Sequence, residues 1–202
     1  MKFIHFFSKK YNNYHIINSL YPSCLLCGNF TFGGICNFCL KGLEELAKPQ
    51  MDKNLKLIYF FKYEDIEDII KSKYLPFGNK ILEKVASITF GKIFQNPFPF
   101  PVTAIPIDPF PYRGFSHTAI LAKYLPFPIT YGLYLKNRVQ YSGKDMAFRL
   151  TNLREFIYKG PCNIKGILID DVVTTGLTIK VATQFLEQFN IDIIATFSLA
   201  KH

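Results

Sequence analysis

Residues 166–179, GILIDDVVTTGLTI, hold the groups best suited to chemistry. The apolar run Ile167-Leu168-Ile169 meets two adjacent carboxylates, Asp170 and Asp171; Val172 and Val173 follow, then Thr174-Thr175-Gly176, Leu177 and Thr178. A strand that gives way to a loop and restarts as a helix delivers loop groups to the carboxyl edge of a sheet, where open α/β proteins bind ligands. Free N–H groups and the dipole at the helix start favour a phosphate. The threonine hydroxyls add donors, and Gly176 permits close backbone approach. Like charges repel, so Asp170 and Asp171 do not hold the phosphate; they accept from vicinal hydroxyls of a sugar whose 5′-phosphate sits in the loop. The pattern reads as a ribose 5-phosphate cradle. The alternative is an acidic helix start with threonine caps, which requires a shorter pattern than the one present.

A second constellation is Cys24-x-x-Cys27 with Cys36-x-x-Cys39. Two residues between cysteines let both thiolates of a tight turn face one cation, and four sulfurs satisfy tetrahedral zinc. Gly28, Gly33 and Gly34 lie between the pairs, where a small knuckle needs unusual backbone angles. Four free thiols or an iron–sulfur cluster are the alternatives. All four positions are filled by protein, so the expected role is structural. Cys162 stands alone, and the histidines His5, His15, His117 and His202 form no dyad readable from spacing. His117 reads as a helix-surface histidine rather than a ligand or base.

The elements that must position these groups follow from periodicity. Strands are expected at 55–63, 102–105, 129–135, 166–169 and 191–199, and helices at 43–48, 64–75, 79–94, 116–125 and 177–189, with Ser116 as a cap. The polar stretch 136–152 has no clear apolar period. Alternating strands and helices predict an α/β fold, with a mainly parallel sheet flanked by helices. The small four-cysteine module precedes it, dividing the chain into residues 1–48 and 49–202.

The chain has 202 residues, enough for one medium domain and a small appendage. Its net charge of +9 points to an anionic partner, though a solvated basic surface is the plainer reading. Residues 64–68, EDIED, are acidic, so other faces must be more basic than the mean. No transmembrane segment and no secretory signal are expected, and paired cysteines fit a reduced, cytoplasmic setting.

LIDDVVTTGLT, residues 168–178, resembles the phosphoribosyl pyrophosphate (PRPP) motif of type I phosphoribosyltransferases across its whole length. The zinc-type cysteine pairs, a strand and helix ending near Lys71–Tyr74, PYRGF at 111–115 and the PRPP motif occur in the order seen in the ComF family of competence proteins. Where that family often continues RGF with Asn-Gln, this chain has Ser116-His117. Gln140, Arg149, Asn152 and Phe156 can be laid on the family's later Gln, Arg-x-x-Asn and aromatic.

The resemblance implies a phosphoribosyltransferase-like fold with an N-terminal zinc finger at Cys24, Cys27, Cys36 and Cys39. It implies PRPP held with Mg²⁺ by Asp170, Asp171, Val172, Val173, Thr174, Thr175, Gly176, Leu177 and Thr178. It places a pyrophosphate loop at Ile105–Phe110. Arg113 just beyond offers a fork of donors to phosphate oxygens, and it joins Asp170 and Asp171 as a catalytic candidate. Lys136, Arg138, Lys144 and Arg149 lie on a candidate hood over the site. The implied role is DNA uptake in natural transformation, with incoming single-stranded DNA as a partner and other DNA-uptake proteins beside it at the inner membrane. Tyr11, Tyr14 and Phe32 are candidates to stack bases, or else to pack the module's core. The other function is a metabolic phosphoribosyltransferase acting on a nucleobase or ammonia; whether transfer occurs at all stays open.

Overall fold

The computed structural model describes residues 22–75, 77–93, 98–111, 114–136 and 154–202. Helix α1 (Asn37–Leu46) begins earlier than its apolar pattern predicts, because Cys36 caps it: the Cys36 sulfur accepts the Cys39 N–H. Strand β1 (Gln50–Asp52) is short and polar, and it pairs antiparallel with β2 (Leu57–Lys62). Helix α2 (Tyr63–Lys71) buries Ile66, Ile69 and Ile70, then tightens into a 3-10 turn over Ser72–Tyr74. Helix α3 (Gly78–Ile88) buries Ile81, Leu82, Val85 and Ile88 but stops short of residue 94. The Thr89 hydroxyl donates to the Val85 carbonyl at 2.7 Å, and its backbone leaves helical angles. A threonine that bonds back into the preceding turn competes with the helix ladder.

Strand β3 (Thr103–Pro106) leads to α4 (His117–Ala122), whose cap is Ser116 as expected; its hydroxyl accepts the Ala119 N–H at 3.2 Å. Strands β4 (Leu133–Leu135) and β5 (Phe156–Tyr158) form a separate antiparallel ribbon. The last unit is β6 (Lys165–Val173), α5 (Leu177–Glu187) and β7 (Asp192–Lys201). The main sheet runs β1-β2-β7-β6-β3, parallel throughout except for β1 at its edge. The expected mainly parallel sheet with flanking helices is therefore present.

Both faces of this sheet are covered, which explains its apolar strands. On β6, Ile167 and Ile169 join a buried cluster with Ile69 of α2, Leu82 of α3 and Leu121 of α4. Leu168 between them joins a second cluster with Ile179 and Leu186 of α5 and Phe156 of β5. Ile35 and Leu43, from the cysteine module, are buried in the first cluster, so the module packs on the helices of that face. Lys84 of α3 adds a bond from its ammonium to the Ile35 carbonyl at 2.5 Å. Among the described residues, no helix is long and apolar enough to cross a membrane.

Candidate functional site

Strand β6 does not end at the acids. It continues to Val173 because β7 keeps pairing with it, Asp170 opposite Ser198 and Val172 opposite Ala200. The two carboxylates therefore sit on the ladder, and the loop proper is Thr174–Gly176. Gly176 precedes α5 with φ 74°, in the left-handed region, and a Cβ there would lie 2.7 Å from Leu55 Cδ2. Only glycine fits this corner without strain. Leu55 is itself held in the β1–β2 turn, where Asp52 Oδ1 accepts the Asn54 and Leu55 N–H groups. Lys201 at the end of β7 pairs with Asp52 at 2.5 Å, tying that turn to the sheet edge.

Asp170, Val172, Val173, Thr174, Thr175, Gly176, Leu177, Thr178 and Ile179 line one cleft. All the residues proposed for the sugar-phosphate cradle are thus together there, except Asp171. The first amides of α5 have no acceptor inside the helix. Leu177 N–H reaches the Thr175 hydroxyl at 3.4 Å, a long bond that a better acceptor would displace. A phosphate at this corner would meet N–H groups, hydroxyls and the positive end of the helix dipole, the last contributing about 0.3–1 kcal/mol.

Asp171 is 6% exposed and takes a different set of partners. Its Oδ2 accepts from Lys73 Nζ at 2.7 Å, and its Oδ1 accepts the Val172 N–H at 3.0 Å. His117 Nε2 lies 3.8 Å from the same Oδ2. Lys73 belongs to the 3-10 turn after α2 and His117 opens α4, so three distant segments converge behind the loop. Burial raises the carboxyl of Asp171, but Lys73 and then His117 outweigh it, and the group is held well below the usual carboxylate range. Asp170 behaves in the opposite way: burial first, then the charge of Asp171, push its carboxyl up to about 7. Burial lowers His117 below its ordinary value, against the pull of Asp171.

His117 is therefore a neighbour of Asp171 behind the loop rather than a bare helix-surface histidine. Lys73 was not legible as a site residue, since it lies 98 positions from Asp171 and the intervening chain gives no local signal. Asp108, just past β3 where a pyrophosphate loop was expected, has φ 47°. It donates its N–H to the Leu133 carbonyl at 3.0 Å and accepts the Leu135 N–H at 3.4 Å. A non-glycine residue in this region is uncommon and marks a backbone held by its surroundings. Arg113, the hood residues Arg138, Lys144 and Arg149, and also Gln140, Asn152, Tyr11 and Tyr14 lie outside the described residues.

The second candidate site is the cysteine cluster. The four sulfurs of Cys24, Cys27, Cys36 and Cys39 lie within 4.8 Å of one another, with Cys27 and Cys36 at 3.6 Å. A tetrahedral zinc with bonds of ~2.3 Å sets its sulfurs ~3.8 Å apart, so this set can bind zinc with small adjustment. The Cys36 N–H donates to the Cys24 sulfur at 3.3 Å, an outer bond of the kind that orients a thiolate ligand. Gly34 has φ 72°, and a Cβ there would lie 2.5 Å from Ile81 Cγ1. On the module's surface, Phe30, Phe32 and Phe38 are 69%, 84% and 74% exposed. The Phe30 and Phe32 rings meet edge to face at 4.9 Å. Phe32 therefore does not pack the module's core.

No protein-family model matches the sequence. The chain is 28% identical to competence protein ComFC of Streptococcus pneumoniae over 145 residues, which cover 70% of this chain and 66% of that protein, a little under two thirds. Among solved structures, it is similar to adenine phosphoribosyltransferase from Thermoanaerobacter pseudethanolicus, with TM-score 0.43 and 17% identity, covering 80% of this chain and 87% of that one. It is also similar to UMP synthase of Leishmania donovani, with TM-score 0.39 and 14% identity, covering 81% of this chain and 31% of that one. TM-scores this low leave function to be argued from the site itself.

Proposed function

We propose that this chain is a DNA-uptake protein of the ComF type, which handles incoming single-stranded DNA and binds PRPP with magnesium at the cleft of β6 and α5. The supporting observation is the cleft itself: one continuous segment, Asp170 to Ile179 without Asp171, surrounds a glycine corner at a helix start. The 5′-phosphate is held by the amides and hydroxyls of Thr174–Thr178. Asp170 accepts from a ribose hydroxyl at the front. Asp171 stands behind the loop against Lys73, and its N–H donates to the Asp170 carboxylate. Carboxylates and hydroxyls are hard oxygen donors, the class that suits Mg²⁺. When bound with PRPP, the cation supplies neutralising charge to the pyrophosphate. Zinc in the cysteine cluster is structural in this reading, because four protein sulfurs complete its shell.

The DNA arm of the proposal draws support from the exposed phenylalanines and the net charge. Exposed rings offer faces to unpaired bases, and a basic chain gains affinity by releasing counterions. The 28% identity to a competence protein is of the same tenor. The chain would act in the cytoplasm, at the periphery of the inner membrane beside other uptake proteins.

The alternative is a metabolic phosphoribosyltransferase, favoured by the same cleft. The two part on one assay. Release of pyrophosphate from Mg²⁺·PRPP with a nucleobase or ammonia would make the chain a transferase; binding of PRPP without release, together with salt-dependent binding of a short single strand, supports the uptake reading.

A further inference from the structure

We propose that Lys73 is a positioning residue for the cleft: by pairing with Asp171 at 2.7 Å it fixes that carboxylate behind the loop, and through it governs how strongly Asp170 accepts at the front. The inference rests on the sugar-phosphate reading of the cleft. Its basis is geometric. Lys73 and Asp171 have side chains 19% and 9% exposed, the lowest pair among the ion pairs of the described residues. Pairing two charges this far from water carries a desolvation cost that an apolar pair would avoid, so the pair is not explained by stability alone.

The turn that carries Lys73 is built to stay in place. Ser72 is fully buried, and its hydroxyl donates to the Ile69 carbonyl at 2.6 Å. Its carbonyl accepts the Leu75 N–H at 2.8 Å. A Cβ on Gly78 would sit 2.0 Å from the Ser72 carbonyl oxygen, so the start of α3 is pressed against this turn. The ammonium stands 5.4 Å from the Tyr74 ring centroid, a further attraction for the cation.

Asp171 passes the effect forward because it is the next residue to Asp170. Its N–H donates to Asp170 Oδ1 at 2.9 Å, and its charge is felt by Asp170 directly. The other charged or titratable groups acting on this cluster are His117 from α4, Asp108 after β3, Arg154 before β5 and Tyr74 of the same turn. Without Lys73, Asp171 would hold its charge poorly and would compete with Asp170 for one proton.

The test uses the full chain and Mg²⁺·PRPP as the probe, with K73M, K73R, D171N and K73M/D171N. K73M is expected to weaken binding roughly tenfold or more, the scale of a lost outer-shell partner, and K73R to restore most of it. In the D171N background K73M should cost little, because its partner is already neutral. Equal losses from K73M in both backgrounds, or none in either, would overturn the proposal. Should wild-type protein bind no PRPP, the sugar-phosphate reading fails by itself. The proposal is then read from carboxyl ¹³C titration of the ligand-free chain. K73M should move the Asp170 titration and K73R restore it; an unmoved titration in K73M overturns the role of Lys73.

Discussion

Asp170 and Asp171 are joined by a 2.9 Å bond from the N–H of the second to the Oδ1 of the first, yet they answer to different partners. Asp170 lines the cleft, whereas Asp171 is buried against Lys73. Burial and the neighbouring charge raise Asp170 to about 7, while Lys73 and His117 hold Asp171 low against its burial. The stability effects have opposite sign. A raised carboxyl favours the fold when protonated, so the Asp170 contribution is complete below its ordinary 3.8 and is lost as pH rises through about 7. The depressed Asp171 contributes above the ordinary 3.8 and is lost only in stronger acid. D170N should therefore flatten the fall in stability between these two values and stabilise the chain at pH ~8 by roughly 1–3 kcal/mol. Urea unfolding across that range checks it; an unchanged slope would show that Asp170 is not strained.

The corner at Gly176 makes a separate prediction. Its φ of 74° and the approach of Leu55 both oppose a side chain. G176A should lower stability by about 1–3 kcal/mol and weaken phosphate binding at the loop. G176A/L55A should recover only part of the stability, since the substitution relieves the contact and leaves the backbone angle. Full recovery in thermal melts would mean that the contact alone mattered.

The cysteine cluster predicts one zinc per chain by mass spectrometry of the native protein. C24S should abolish it and expose the amides of the module and its helix α1 to hydrogen exchange. C36S is the more telling variant, because serine keeps an oxygen that can cap α1 while the metal ligand is gone. If C36S kept both zinc and protection, Cys36 would leave the ligand set.

F30A/F32A tests the exposed rings. These side chains bury little, so the fold should be unchanged, while affinity for an oligothymidine should fall by about 1–3 kcal/mol for each lost stack. The slope of log affinity against log salt should persist, since the charges remain. Unaltered affinity would move any DNA contact elsewhere on the chain.

Much of this architecture was legible because apolar periodicity is local. The buried face of α3 follows from spacing, and the two-sided cover of β6 from the run Ile167-Leu168-Ile169. The cysteine cluster was legible because turn geometry brings C-x-x-C pairs together. The errors arose where tertiary pairing overrides local pattern. β6 runs through two acids because β7 continues beside it, and β5 exists because β4 offers it a partner. The division of labour between Asp170 and Asp171 was illegible for the same reason: Lys73 and His117 arrive from other parts of the chain.

Calorimetric titration of PRPP, with and without Mg²⁺, into the wild-type chain and D170N tests the central claim most directly. Saturable, Mg²⁺-dependent binding to one site per chain, lost in D170N while zinc content and fold are kept, is the predicted result. Equal binding by D170N, or no binding by the wild-type chain, would contradict the assignment of this cleft to a sugar phosphate.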